Sequence, residues 1–148
     1  MEIDDIVVAI SRKLHEAFGS NYKKYTDEIP QGFQTPCFFI QFLNFEHIRQ
    51  IGNRWKVTPL FNVQYFSSNG ASESANMSLK VQQALKSVSL INGVAILARG
   101  ANSEVVDGIG HNFMRFDFFL QEMEAKVLMG SLEQFTNGER VVSVGEND

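Results

Sequence analysis

The chain has 148 residues, a length that suits one folded domain with one hydrophobic core. Its net charge of −4 argues against a protein that binds nucleic acid over its whole surface. The single cysteine excludes an intrachain disulfide and a cysteine-based metal site, and the acidic start of the chain differs from a secretory signal peptide.

The first predicted element is a helix over residues 2–18. Its apolar side chains recur at three- and four-residue spacing, as in the buried face of a helix. Acidic residues in the first turn suit the positive end of the helix dipole, and Gly19 is a stop signal. A short, polar edge strand is expected over residues 22–29, followed by a turn at residues 29–32.

A long, aromatic β-hairpin is predicted between residues 37 and 67. Residues 37–51 and 54–67 form its arms, and Gly52 with Asn53 is typical of a two-residue turn. Such a turn would set the register and place Arg49 directly opposite Lys56. The arms exceed the usual strand length, so we expect the hairpin to bend or project. Pro59 indicates an edge position or a bulge in the second arm.

The two ends of the hairpin differ in composition. Near the base both faces are apolar, so both should be covered. Near the tip, Arg49, Arg54, Trp55 and Lys56 form a small basic and aromatic patch. Two like charges directly opposite each other are destabilising unless they are solvated or meet an acidic partner. A protein contact, a solvated tip and a weak nucleic-acid contact are all compatible with this patch.

The second half of the chain repeats the order of the first. A helix is predicted over residues 73–88, strands near 94–99 and 103–107, and a last strand over 111–122. The fold class is therefore α+β, with an antiparallel or mixed sheet, two helices packed on it and the order αβββαβββ. We expect residues 1–124 to form a single domain, and residues 125–148 to be a partly ordered C-terminal extension.

No residue pattern predicts a catalytic, cofactor or metal site, so an enzyme is not expected. His111 and Asp107 flank a glycine turn and Cys37 lies in an apolar strand, but no spacing brings the three together. A small-molecule-binding α+β domain is the alternative of another class. A deep pocket that holds His111, Asp107 or Cys37 would favour it.

Several segments resemble the phage tail terminator family of phages and prophage-like elements of Gram-positive bacteria. Residues 29–32 (IPQG) with residues 36–40 (PCFFI) are similar to one family motif. Residues 104–111 (EVVDGIGH) with residues 114–119 (MRFDFF) are similar to its last strands, and residues 3–10 to its opening helix. Some members carry the older name of minor capsid protein. The resemblance covers roughly residues 1–122.

This resemblance implies a ring, typically of six subunits, that caps the tail tube, stops its polymerisation and provides the interface to the head or neck. In a headless tail-like bacteriocin, the same ring would close the tube. The implied partners are other copies of the chain, the tail tube protein and a head–tail connector or neck protein. The implied location is a virion or tail-like particle assembled in the bacterial host cytoplasm, with no membrane.

In such a ring, DNA would only pass through the lumen without being specifically bound. The alternative within the same particle is another neck or tail-completion protein.

The charge is distributed unevenly along the chain. Residues 51–100 carry five basic and one acidic side chains, whereas residues 101–148 carry three basic and nine acidic side chains. Two differently charged faces of one protein explain this asymmetry, and so does a head-to-tail contact between subunits. Within the second explanation, Arg49, Arg54, Trp55 and Lys56 are predicted contact residues with a subunit or the tube.

Overall fold

A computed structural model describes residues 2–121 of the chain. It contains helices α1 (Ile3–Phe18) and α2 (Ala71–Ala84) and six strands, which are β1 (Lys23–Thr26), β2 (Cys37–Arg49), β3 (Arg54–Phe66), β4 (Ser87–Ser89), β5 (Ala95–Val106) and β6 (Ile109–Gln121). The strands form one sheet in the order β1-β2-β3-β6-β5-β4. The first pair is parallel, and β5 is antiparallel to both β4 and β6. The α+β class and the order αβββαβββ are confirmed.

The described residues belong to two compact units. The body comprises residues 2–46 and 58–118. The tip unit comprises residues 47–57 of the hairpin and residues 119–121. A single domain over residues 1–124 stays a prediction, and the extension at 125–148 lies outside the described residues.

Helix α1 forms where the apolar spacing predicts it. The backbone N–H of Glu2 donates to the Asp5 carboxylate at 2.8 Å, which satisfies one of the free donors at the helix start. Gly19 follows the last helical residue with φ of 89°, a conformation that glycine adopts without strain. The buried stripe consists of Ile6, Ala9, Ile10 and Leu14.

The core of the body lies between the two helices and one face of the sheet. Alternate residues of the three central strands point into it, because strand side chains alternate between faces. These buried side chains are Phe38, Ile40, Phe61, Val63, Tyr65, Met114 and Phe116. Since both helices contribute to this same cluster, we call this side of the sheet the helix face.

Two local predictions in the second half are wrong in detail. The segment predicted as the end of the helix forms β4 at residues 87–89, after α2 has ended at Ala84. The two strands predicted near 94–99 and 103–107 are one strand, β5, with an irregular register between Ala98 and Gly100. A glycine inside a strand allows a bulge as well as a turn, and here it allows the bulge.

The edge position inferred from Pro59 is also wrong. Pro59 is buried in β3, and β3 lies between β2 and β6 in the sheet. The side chain of Asn62 lies 3.2 Å from His111, and the carbonyl of Thr58 accepts a 3.5 Å hydrogen bond from Arg115. As numbers fall along β3 they rise along β6, so these two strands are antiparallel.

Candidate functional site

The turn of the hairpin has three residues rather than the predicted two. The backbone N–H of Gln50 donates to the carbonyl of Arg54 at 2.8 Å, which leaves residues 51–53 as the loop. Gly52, at the centre, has φ of 76°. This loop shifts the register at the tip by one residue. Arg49 therefore lies opposite Trp55, and the predicted opposition of Arg49 and Lys56 is wrong.

The tip unit places cations on aromatic rings. The Arg49 guanidinium lies 5.5 Å from the centroid of the Trp55 ring, and the His47 ring stacks on the same indole at 4.4 Å. Arg54 lies 4.4 Å from the centroid of the Phe119 ring. Cations are attracted to the faces of aromatic rings, so these contacts hold the two guanidinium groups in defined positions.

All four predicted contact residues lie in this unit. Arg49 and Arg54 are exposed, whereas Trp55 and Lys56 are half-buried. The described part of the tip unit contains three basic side chains and no carboxylate, which gives it a charge of +3 with histidine neutral. Such a surface has the chemistry to contact an acidic protein surface, and the aromatic rings supply apolar area beside the charges.

A second candidate surface lies in the body, on the outer half of β2, which we define as residues 41–46. Strand β1 pairs only with residues 37–40 of β2. In the described part of the chain, no strand therefore covers the outer half on that side. Its apolar side chains are exposed, at 38% for Phe42, 38% for Leu43 and 51% for Phe45. Within the residues that the structure describes, the outer half is thus a partly apolar strand edge that is open to a partner.

The residues considered for catalysis do not form a site. Cys37 lies in β2, two strands from His111 in β6, a lateral separation of about 10 Å at the usual strand spacing. Cys37 is fully buried, and burial raises the pKa of its thiol to about 11, which disfavours the reactive thiolate. His111 contacts the Asn62 amide through Nδ1, and Asp107 is exposed in the turn that follows β5.

The described residues contain neither a candidate metal site nor a membrane-spanning helix. In residues 2–121, no group of three or more histidine, cysteine or acidic side chains is arranged to hold a metal ion. No helix in that part of the chain combines the length and the apolar character needed to cross a membrane.

Comparison with known proteins identifies the family. A family model described as phage tail terminator protein matches residues 5–127. The chain belongs to the phage tail terminator family. This confirms the family suggested by the sequence motifs, which is one of structural proteins of phage tail assembly. No curated protein matches the chain.

The sequence placed four residues at the hairpin tip, and their role as contact residues stays a prediction; the open edge of β2 was not predicted. The missed feature depends on strand lengths: β1 has 4 residues, whereas its neighbour β2 has 13. The only sequence signal was that the apolar, aromatic run 37–48 is much longer than the short polar segment before it.

Proposed function

We propose that six copies of this chain form a ring that caps the tail tube and stops its polymerisation. Family membership supports the role in the tail. The observation that carries the ring is the outer half of β2, where Phe42, Leu43 and Phe45 are exposed. A chain that keeps such a strand edge open has a surface suited to a protein partner, because buried apolar area favours association.

The tip unit is the proposed contact with a neighbouring subunit or with the tail tube protein. Its charge of +3 and its ring-held guanidinium groups suit an acidic, partly apolar surface. The opposite end of the ring would offer the interface to the head–tail connector or neck protein. In a headless tail-like bacteriocin, the ring would close the tube.

The place of action follows from this role. Assembly takes place in the bacterial host cytoplasm, and the ring then remains in the virion or tail-like particle. DNA passes through the lumen without specific binding, as expected for a chain whose net charge is −4.

Tail length after deletion of the protein tests the proposal. Negative-stain electron microscopy of the deletion lysate should show tubes that run far beyond the normal tail length, and complementation with the wild-type chain should restore that length. Tails of normal length that lack heads would contradict the capping role. That outcome would indicate the alternative, another neck or tail-completion protein.

A further inference from the structure

The sheet of the body has a second open edge, on the side opposite to β2. Strand β4 pairs with β5 only at residues 95–97 of β5, and the Ala98 N–H donates to the Lys86 carbonyl at 2.7 Å. Beyond this point, within residues 2–121, no strand pairs with the outer side of β5. Residues 99–104 of β5 are all exposed. Within the described residues, the sheet of the body therefore ends in an open strand edge on both sides.

The two edges have compatible directions. Strands β2 and β3 form a hairpin, β3 and β6 are antiparallel, and β6 and β5 are antiparallel. Consequently β2 runs opposite to β5 in the sheet. A rotation about an axis along the strands preserves strand direction, so the β5 edge of the next copy meets β2 as an antiparallel partner.

The faces of the sheet limit the register of such a contact. Phe42 packs on Phe61 on the helix face, and the Ser103 hydroxyl accepts a hydrogen bond from Gln82 of α2 on that face. Gln41 contacts Gln64 on the other face, and Asn102 lies opposite Phe113 there. Pairing Leu43 with Asn102 of the next copy keeps both helix faces on one side, whereas a shift of one residue reverses them.

We infer that the outer half of β2 pairs antiparallel with residues 99–104 of β5 in a second copy of this chain, with Leu43 opposite Asn102. Glu46 then lies beside Arg99, the extra residue at the irregularity of β5, so that two opposite charges come close together. A register shifted by two residues in one direction would place Glu46 opposite Leu97, whose outer side is already paired with β4. A register shifted by two residues in the other direction would place the apolar Leu43 opposite the carboxylate of Glu104.

The surroundings of both edges fit this contact. A depression of about 520 Å³ lies beside β5, lined by Leu60, Gly100, Phe113 and Arg115 among others, and can receive the Leu43 side chain. The Arg99 guanidinium lies 3.9 Å from Asp117 and is 49% exposed, so it can reach a second carboxylate. Because the contact joins two different edges, it is heterologous and can close into a ring. The inference thus deepens the proposed function, on which its biological meaning rests.

Cysteine cross-linking of the full chain tests the register. Two double variants are compared, Leu43→Cys with Asn102→Cys, and Asn44→Cys with Ala101→Cys. Adjacent antiparallel pairs alternate in spacing, and one of the two has the closer geometry that a disulfide needs. The matched control, Asn44→Cys with Val106→Cys, is out of register by five residues, about 17 Å.

Oxidation of assembled tails, or of concentrated pure protein, should give a ladder of covalent multimers with at least one in-register variant and not with the control. Monomers alone would overturn the inference and indicate that another element, such as residues 122–148, covers the edge. A ladder that stops at the dimer would overturn it in favour of a symmetric contact. Equal cross-linking of the control would also overturn it.

Charge reversal tests the Glu46–Arg99 pair independently. Glu46→Arg and Arg99→Glu should each weaken self-association by about tenfold or more, because like charges then meet in the contact. The double variant should recover most of the loss, as measured by analytical ultracentrifugation. Failure of the double variant to recover would contradict this register. Normal tail lengths after deletion, together with an in-register ladder, would reject the capping function and leave this contact intact.

Discussion

The two halves of β2 in the body both carry large apolar side chains, but these side chains have opposite environments. In the inner half, Cys37, Phe38, Phe39 and Ile40 are at most 7% exposed. In the outer half, Phe42, Leu43 and Phe45 are 38–51% exposed. The difference lies in the neighbours, because β1 pairs with the inner half alone.

This comparison separates the apolar residues that build the fold from those available to a partner. Complete burial of a large apolar side chain contributes about 1.5–3 kcal/mol relative to exposure. The inner half has gained this stabilisation within the chain. Burial of the exposed apolar side chains of the outer half against a partner would contribute about 1 kcal/mol for each side chain. Substitutions in the two halves should therefore affect different measurements.

The largest effect on stability is expected in the inner half. Phe38 is fully buried, and its ring packs against Phe18, Tyr22 and Tyr65. Phe38→Ala should lower the free energy of unfolding by about 3–5 kcal/mol, because it removes apolar burial and leaves a cavity. Phe45→Ala should lower it by less than about 1 kcal/mol, since Phe45 is half exposed. Urea denaturation of the purified variants measures both values.

The Phe45→Ala variant also separates an effect on assembly from an effect on folding. A strain that carries Phe45→Ala should show abnormally long tails although the variant folds, whereas Ile91→Ala should give normal tails. Ile91 is 82% exposed and lies outside β2, so it is a matched control for loss of an exposed apolar side chain. Normal tails with Phe45→Ala would show that the outer half of β2 is not an assembly surface.

Two glycines extend the comparison to covered and open parts of the second half of the sheet. A Cβ added at Gly110 would lie 2.5 Å from the Ser78 hydroxyl of α2, whereas a Cβ added at Gly100 has no atom within 4 Å. Gly110→Ala should destabilise the protein by about 1–3 kcal/mol through overpacking. Gly100→Ala should be nearly neutral in thermal unfolding. Similar losses of stability for both variants would indicate that helix α2 does not pack closely against Gly110 of β6.

A smaller effect, dependent on pH, is expected at Tyr65 in the covered part of the sheet. Burial, together with the hydrogen bond that its hydroxyl donates to Glu73, raises the pKa of Tyr65 above its ordinary value of 10. Loss of this bond in Tyr65→Phe should cost about 1–2 kcal/mol at pH 8.

The sign of the pH effect follows from the direction of the shift. Above pH 10 the unfolded tyrosine loses its proton while the folded one keeps it, so the stability from this group is complete below pH 10 and falls above it. The difference between wild type and Tyr65→Phe should therefore shrink between pH 8 and about pH 11. Cys37, whose pKa is also raised, affects both proteins alike. A constant difference across this range would contradict the assignment.

The sequence was sufficient for helix α1, for the two arms of the hairpin and for the buried face of β6. The spacing of Ile6, Ile10 and Leu14 identifies the buried stripe of α1, and the alternation of Met114 and Phe116 identifies the buried face of β6. Both patterns involve residues that are close together in the sequence, so they can be recognised from a single sequence.

The details that failed depend on which backbone groups and which strands pair with each other. The hairpin tip was predicted with a two-residue turn, and one backbone bond, from Gln50 to Arg54, shifts the register and gives Arg49 a different neighbour. Pro59 suggested an edge position or a bulge, and the edge position is excluded because β6 pairs with β3 on the side away from β2. The open edges of β2 and β5 arise from the shortness of β1 and β4, which composition does not encode.

The smallest effect on stability is expected at the tip, where the side chains lie outside the core. The double variant Arg49→Glu with Lys56→Glu should change the free energy of unfolding by less than about 0.5 kcal/mol beyond the loss of the contacts that Arg49 and Lys56 make. It should nevertheless impair assembly, because it turns a surface of charge +3 into one of −1. Tail lengths by electron microscopy, with circular dichroism of the pure variant, measure the two effects.

The control is Lys23→Glu with Lys80→Glu, which makes the same change in charge at two exposed positions of the body. Normal tails from the tip variant would remove the tip from the contact surfaces and leave the outer half of β2 as the remaining candidate. Equal impairment by the control would indicate that net charge, rather than the position of Arg49 on Trp55, governs assembly.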